Sequence, residues 1–234
     1  MAEIIPAIIP KTFDDLEEHL SLVSRYTNWV QIDVLDGRLT SAKSWPYLSP
    51  VDDDFARIIR EEEGFPFWED LQFEIDLMIK EPEAVLHQWV AAGASRLVVH
   101  FESFESAEKA KEAVDDFKNK FSLPGSILSV QIGLAANLNT PLEEFSEIIP
   151  LFDFFQCMGI AEIGAQGNPF DERALERIEE IKEMHPDLPI AVDGGVNLDT
   201  AERLISAGAT RLVAGSAIFE SDNIPGTINE LKGF

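Results

Sequence analysis

Eight short β-branched runs, each followed by a longer stretch, mostly amphipathic, predict a closed (β/α)8 barrel for this 234-residue chain. Three observations carry that expectation. Strands separated by helices pair in parallel. Eight such units fit the ~250 residues typical of the closed barrel. No Gly-rich dinucleotide turn follows the first run, which disfavours a doubly wound open sheet. No break in composition marks a second domain, so residues 1–234 are read as one.

Taken in order, the runs are Ile4–Ile9, Trp29–Leu35, Gln72–Met78, Arg96–His100, Ser129–Ala135, Phe154–Cys157, Ile190–Asp193 and Arg211–Ala214. The stretches between them include "FDDLEEHLSLVSRY", "PEAVLHQWVAAG", "SAEKAKEAVDDFKNKF", "LEEFSEIIPLF", "ERALERIEEIKEMH" and "DTAERLISAG", which read as helices. Gly93 and Gly208 follow periodic runs where a helix ends, and Asn197 or Asp199 is placed to cap the helix after strand seven. The irregular region is Arg38–Leu71, read as an enlarged connection between strands two and three. It holds one helical stretch, "VDDDFARIIREEEG", between aromatic-rich loops. Its aromatics, Trp45, Tyr47, Phe65, Phe67 and Trp68, suit a lid, a partner surface or a contact between copies in a homo-oligomer.

The composition is that of a water-soluble domain, with 45% hydrophobic and 26% charged residues. No apolar run approaches the roughly 18 residues that span a membrane, and "MAEIIPAIIPKTF" lacks the basic start of a signal peptide. Cys157 is the only cysteine, which rules out an internal disulfide or a Cys-rich zinc site and suits a reducing cytoplasm. A net charge of −25 argues against binding nucleic acid through its phosphates. The same charge means that an anionic substrate must be held by local donors.

The side-chain alternation of the strands then becomes informative. In "VQIDVLDG", Val30, Ile32 and Val34 suit the helix layer, which turns Gln31, Asp33 and Leu35 toward the barrel interior. Strand three turns Glu74, Asp76 and Met78 inward, strand four Arg96, Val98 and His100, and strand seven ends on Asp193. Gln31, Asp33, Asp76, His100 and Asp193 are thus expected at one mouth, the C-terminal end of the strands, where barrel chemistry sits. Several carboxylates together call for a balancing charge, and oxygen ligands favour Mg2+, Mn2+ or a similar hard ion. Two aspartates across a pocket also suit a two-base proton transfer. The plainer alternative is a structural network in which Glu74 pairs with Arg96.

"VDGGV" and "VAGSAIF" place glycines directly after strands seven and eight. Backbone N–H groups there can approach an anion closely, and barrels often bind phosphate at this point. Donors of this kind need no Lys or Arg, which suits so acidic a chain.

With these motifs placed, the chain resembles the ribulose-phosphate 3-epimerase family of TIM barrels from about Pro6 to Phe219. The family's His-x-Asp-x-Met-Asp-Gly is similar to Gln31, Asp33, Leu35, Asp36 and Gly37. Its strand-three motif resembles "EIDLMIKEP", and its His-x-Glu corresponds to His100 and Glu102. "IGLAANLNTPLE", Met158, "VDGGV" and "AGSAIF" continue the match. The resemblance implies that Asp33 and Asp193 are acid/base groups acting through an enediolate. It also implies that Gly194, Gly195, Gly215 and Ser216 hold a sugar phosphate, and that Met78 and Met158 line the reacting carbons. The family's metal site of two histidines and two aspartates maps to Gln31, Asp33, Asp76 and Asp193. That set suits Mg2+, Mn2+ or a similar divalent ion better than family-type Zn2+, or holds no ion. "PAIIPKT" replaces the family's first-strand serines and brings Lys11 near the mouth, as a site group or as a solvated loop residue. "EIGAQGNPF" replaces its glycine-rich lid. Three readings follow: a ketopentose-phosphate epimerase; another ketose-phosphate isomerase, epimerase or lyase; or a catalytically silent barrel that binds a phosphorylated ligand.

Overall fold

The computed structural model describes residues 2–121, 129–164 and 167–234. Strands β1 (Glu3–Ile8), β2 (Trp29–Leu35), β3 (Gln72–Met78), β4 (Ala94–His100), β5 (Gln131–Ala136), β6 (Phe154–Met158), β7 (Ile190–Asp193) and β8 (Arg211–Ala214) are all parallel. They pair in sequence order, and β8 closes on β1, so the sheet has no edge. The expected (β/α)8 barrel is the fold observed.

Around it lie α1 (Phe13–Val23), α2 (Asp53–Ile59), α3 (Leu86–Ala91), α4 (Ala107–Phe121), α5 (Arg173–Met184), α6 (Ala201–Ala207), the single turn α7 (Ser216–Phe219) and α8 (Ile224–Lys232). Local chemistry starts several of them. Thr12 caps α1 by accepting the Asp15 N–H, Asp52 caps α2 through Phe55, and Asn223 caps α8 through Gly226. Asn197 accepts the N–H groups of Asp199 and Thr200, shaping the turn into α6, whose N-cap is Thr200. One expected helix is not α-helical. "LEEFSEIIPLF" forms two 3-10 turns, Leu142–Glu144 and Ile149–Leu151, because Pro150 within it has no N–H to donate.

Alternation along the strands decides the packing. Ile32, Val34, Ile75, Leu77, Leu97 and Val99 join the large core under the helices. Val98, Ala135, Phe154, Met158 and Ala191 point the other way and fill the barrel, as do Ile5, Ala7 and Val213. Residues 36–71 contribute α2 and much of the aromatic packing in the outer core. Trp45 and Phe65 are each 2% exposed, and Trp45 meets Phe13, Phe55, Phe65 and Trp89 edge-on or tilted. Those two rings are therefore core rather than lid. Of the five aromatics singled out above, Trp68 alone is largely exposed.

At the end of the barrel away from the C-terminal mouth, Arg96 lies 3.5 Å from Glu74 and 2.8 Å from Glu3, and stacks on Trp29. The expected Glu74–Arg96 pairing is thus present, in a layer separate from the aspartates. Burial raises the Glu74 carboxyl to about 7, against the pull of Arg96 and Arg211. A carboxyl whose pKa rises on folding makes the folded state hold the extra proton. Its contribution is full below the unfolded value near 4.5 and is lost as pH climbs to about 7. Glu74→Gln is expected to remove that loss, on the order of 3 kcal/mol at most. Chemical denaturation at several pH values checks it: the gap between variant and wild type should widen from pH 4.5 to 7. A constant gap would contradict the assignment.

Candidate active site

The C-terminal mouth is built from strand ends. Pairing of β2 with β3 sets Gln31 beside Glu74 and Asp33 beside Asp76, and pairing of β6 with β7 sets Met158 beside Asp193. One cleft is lined by Asp33, Asp193, Met78 and Met158, with Gly194, Gly195, Gly215 and Ser216 along one side. Every residue expected to act on or hold the substrate thus borders the same space. Ala7, Ile9, Ile160, Ile163 and Val213 make the remaining wall largely apolar. Lys11 is exposed at the start of the turn into α1 and is not part of that wall.

Asp33, Asp76 and Asp193 each offer a carboxylate oxygen, and these oxygens lie within 4.8 Å of one another. Gln31, fully buried, donates from Nε2 to Asp33 Oδ1 at 2.7 Å and to Asp193 Oδ2 at 2.8 Å. Asp76 accepts from His100 Nε2 at 2.9 Å and from Gln156 Nε2 at 3.0 Å. Gln156 escaped the sequence reading, although its signal was available: it is a polar residue in the apolar run "FFQCM", two positions from the inward Met158.

The second carboxylate of "VQIDVLDG" has a different task. Asp36 accepts the N–H groups of Arg38 (2.8 Å) and Lys80 (3.1 Å), tying together the loops after β2 and β3. Glu102 likewise accepts from Asn137 N–H (2.9 Å) and Thr140, bracing the loop after β5.

Electrostatically the mouth is strained. Burial holds the Asp33 carboxyl well above the usual range, helped by the charges of Asp193 and Asp76, while the bond from Gln31 opposes the shift. Asp193 moves the same way for the same leading reason, with Asp76 adding to it. Burial disfavours charge on His100, but the charge and hydrogen bond of Asp76 outweigh it and raise the imidazole pKa. A pair of carboxyls shifted toward neutrality is suited to passing protons at physiological pH. Three crowded oxygen donors are also a fitting seat for a hard divalent cation, which would relieve their repulsion.

The glycine turn after β7 is closely packed. Gly195 has φ +69°, and a Cβ there would lie 2.8 Å from the Phe170 backbone, so a side chain is excluded on both counts. The result is bare backbone beside the aspartates. The segment "EIGAQGNPF" borders it; its Ala165 and Gln166 lie outside the described residues.

A closed parallel barrel with polar side chains and glycine turns gathered at its C-terminal mouth has the architecture of the (β/α)8 barrel enzymes, whose active sites sit at that end. The chain belongs to the ribulose-phosphate 3-epimerase family, whose model matches residues 3–219. It is 27% identical over 232 residues to ribulose-phosphate 3-epimerase of Schizosaccharomyces pombe, covering 99% of this chain and 92% of that protein. It is 32% identical over 203 residues to the Chlamydia muridarum enzyme of the same name, covering 84% and 78%. Among solved structures, KGPDC from Streptococcus mutans shares the fold at a TM-score of 0.70 and 13% identity, over 99% of this chain and 96% of that one.

Proposed function

We propose that the protein is a ketopentose-phosphate 3-epimerase in which Asp33 and Asp193 exchange a proton at the carbon beside a ketone. The observation that carries this reading is the placement of both carboxyls on one cleft, joined through Gln31, next to the bare backbone of Gly194 and Gly195. One aspartate removes the C3 proton, and the electron pair moves onto the C2 carbonyl to give an enediolate. The other aspartate returns a proton to the opposite face, so the configuration inverts with no net oxidation. Met78 and Met158 border the reacting carbons with apolar, polarisable surface that excludes water. Backbone N–H groups of Gly194, Gly195, Gly215 and Ser216 would hold the phosphate. The same site admits a divalent ion on Asp33, Asp76 and Asp193, with Mg2+ or Mn2+ favoured over Zn2+ by the all-oxygen set. When bound, such an ion stabilises the developing oxyanion as a Lewis acid.

The relatives' names support the substrate class, and a cleft lined by carboxyls with no basic side chain among its described lining residues supports phosphate capture by backbone. Among the described residues no helix is long and apolar enough to cross a membrane. Cys157 is free and buried, with its thiol pushed up to about 12 by burial, which suits a reducing cytoplasm and an inert thiol.

The test follows solvent deuterium entering D-ribulose 5-phosphate by NMR, first in EDTA and then with Mg2+, Mn2+, Co2+ or Zn2+ restored. Exchange at C3 with D-xylulose 5-phosphate accumulating is the expected result, and the conditions that support it identify the ion or show that none is needed. No exchange under any of them would overturn the proposal.

A further inference from the structure

Gln31 stands where the family resemblance would place a metal ligand, yet it is the nitrogen of its carboxamide that faces the aspartates. Both hydrogens of that NH2 are used, one on Asp33 Oδ1 (2.7 Å) and one on Asp193 Oδ2 (2.8 Å). Hydrogen-bond balance favours this orientation. Turned the other way, the amide oxygen could be met only by a carboxyl O–H and would face bare oxygen whenever the pair ionises, whereas the NH2 serves both carboxyls in either protonation state. The amide oxygen Oε1 is instead buried without a partner among the described residues. Leaving it so is unfavourable, and the donated bonds are what offset it.

The bridge spans 162 residues of sequence, from the middle of β2 to the end of β7. It joins the two aspartates that line the substrate cleft among the described residues. Asp76, the third acidic group, is held separately by His100 and Gln156 and takes no bond from Gln31. A rigid strand therefore carries one planar group that fixes the acid/base pair relative to each other. Imidazole at this position cannot donate two N–H bonds from one atom, a Glu carboxyl can donate at most one, and Met donates none.

We infer that Gln31 is a positioning residue whose carboxamide NH2 sets the spacing and orientation of the Asp33 and Asp193 carboxyls, rather than a ligand that contributes its oxygen to an ion. The inference rests on the reading of Asp33 and Asp193 as the proton-transfer pair. Reactivity then depends on the bridge, while substrate affinity, set by the glycine turns, does not.

Two measurements test this apart from turnover. In protein labelled with 15N, the Gln31 side-chain NH2 should show two downfield protons that exchange slowly with solvent, identified by their absence in Gln31→Met. Binding of Mn2+, followed by electron paramagnetic resonance, should be within threefold of wild type in Gln31→Met and in Gln31→Glu no weaker than wild type. In the deuterium-exchange assay, Gln31→Met should lose 10- to 100-fold in kcat with KM within threefold. Gln31 amide protons at ordinary shifts in fast exchange would overturn the bridge. So would a tenfold or greater loss of Mn2+ affinity in Gln31→Met, which would make the oxygen a ligand, or an unchanged kcat. If the wild-type protein catalyses no exchange, the functional reading fails, and the amide resonances and Mn2+ affinities still decide the role of Gln31.

Discussion

Asp193→Asn is expected to lower kcat for C3 proton exchange by roughly a thousandfold or more while leaving the barrel as stable as wild type or more so. General acid–base groups contribute about 10²–10⁴ each, and no other described side chain on the cleft can replace the carboxyl, since Asp33 is already engaged as its partner. The stability half of the expectation follows from crowding. Asp193 is desolvated and repelled by Asp76, and an amide removes that repulsion while retaining an oxygen to accept from Gln31. Asp33→Asn should behave alike, because burial and the like charges of Asp193, Asp76 and Glu74 act on it. Exchange rates by NMR and thermal melts of both variants check the two halves together. Loss of activity with a markedly lower Tm would instead mean that the aspartates hold the fold. Wild-type turnover in both variants would remove them from the mechanism.

Gly159→Ala is expected to damage the site from beneath. A Cβ at this position would lie 2.1 Å from the carbonyl oxygen of Gly194, which is backbone and cannot swing aside. Gly159 also donates its N–H to Asp193 O at 2.6 Å and accepts from Asp171 N–H at 2.8 Å. It therefore ties the end of β6 to the end of β7 and to the segment that carries Phe170 over Gly195. One methyl group must displace the turn bearing Asp193, Gly194 and Gly195. Overpacking of this kind costs about 1–3 kcal/mol, and more where backbone must move. KM should rise at least tenfold and kcat should fall with it, because the phosphate cradle and an acid/base group shift together. Steady-state kinetics beside a denaturation curve checks this. A variant that loses stability alone would show that the turn tolerates the displacement.

The two sites of change follow from different levels of information. The inward parity of Gln31, Asp33, Asp76 and His100 was legible in the chain, because a strand alternates faces with period two and the apolar residues between them are unambiguous. The glycine turns after β7 and β8 were legible for the same local reason. Parity does not say how deep a residue sits in the barrel. Glu74 and Asp76 share a face, but one meets Arg96 in a layer of charge away from the mouth and the other meets His100 near it. Gln156 was within reach of the same rule and was hidden only by the shortness of β6. Trp45 and Phe65 looked like loop aromatics because nothing local shows that the connection folds back over α3 and β3.

The sequence by itself determined the eight strands, their inward and outward faces, and the acidic, glycine-rich character of one mouth. These depend on residue type and on a repeat of two or about 3.6, both of which act within a few positions. The tertiary structure alone decided that Gln31 reaches Asp193 across the barrel, that its nitrogen rather than its oxygen faces the pair, and that Asp76 is held by His100 and Gln156. Those contacts depend on the stagger at which eight strands close, and on the sign of charge that each group then meets.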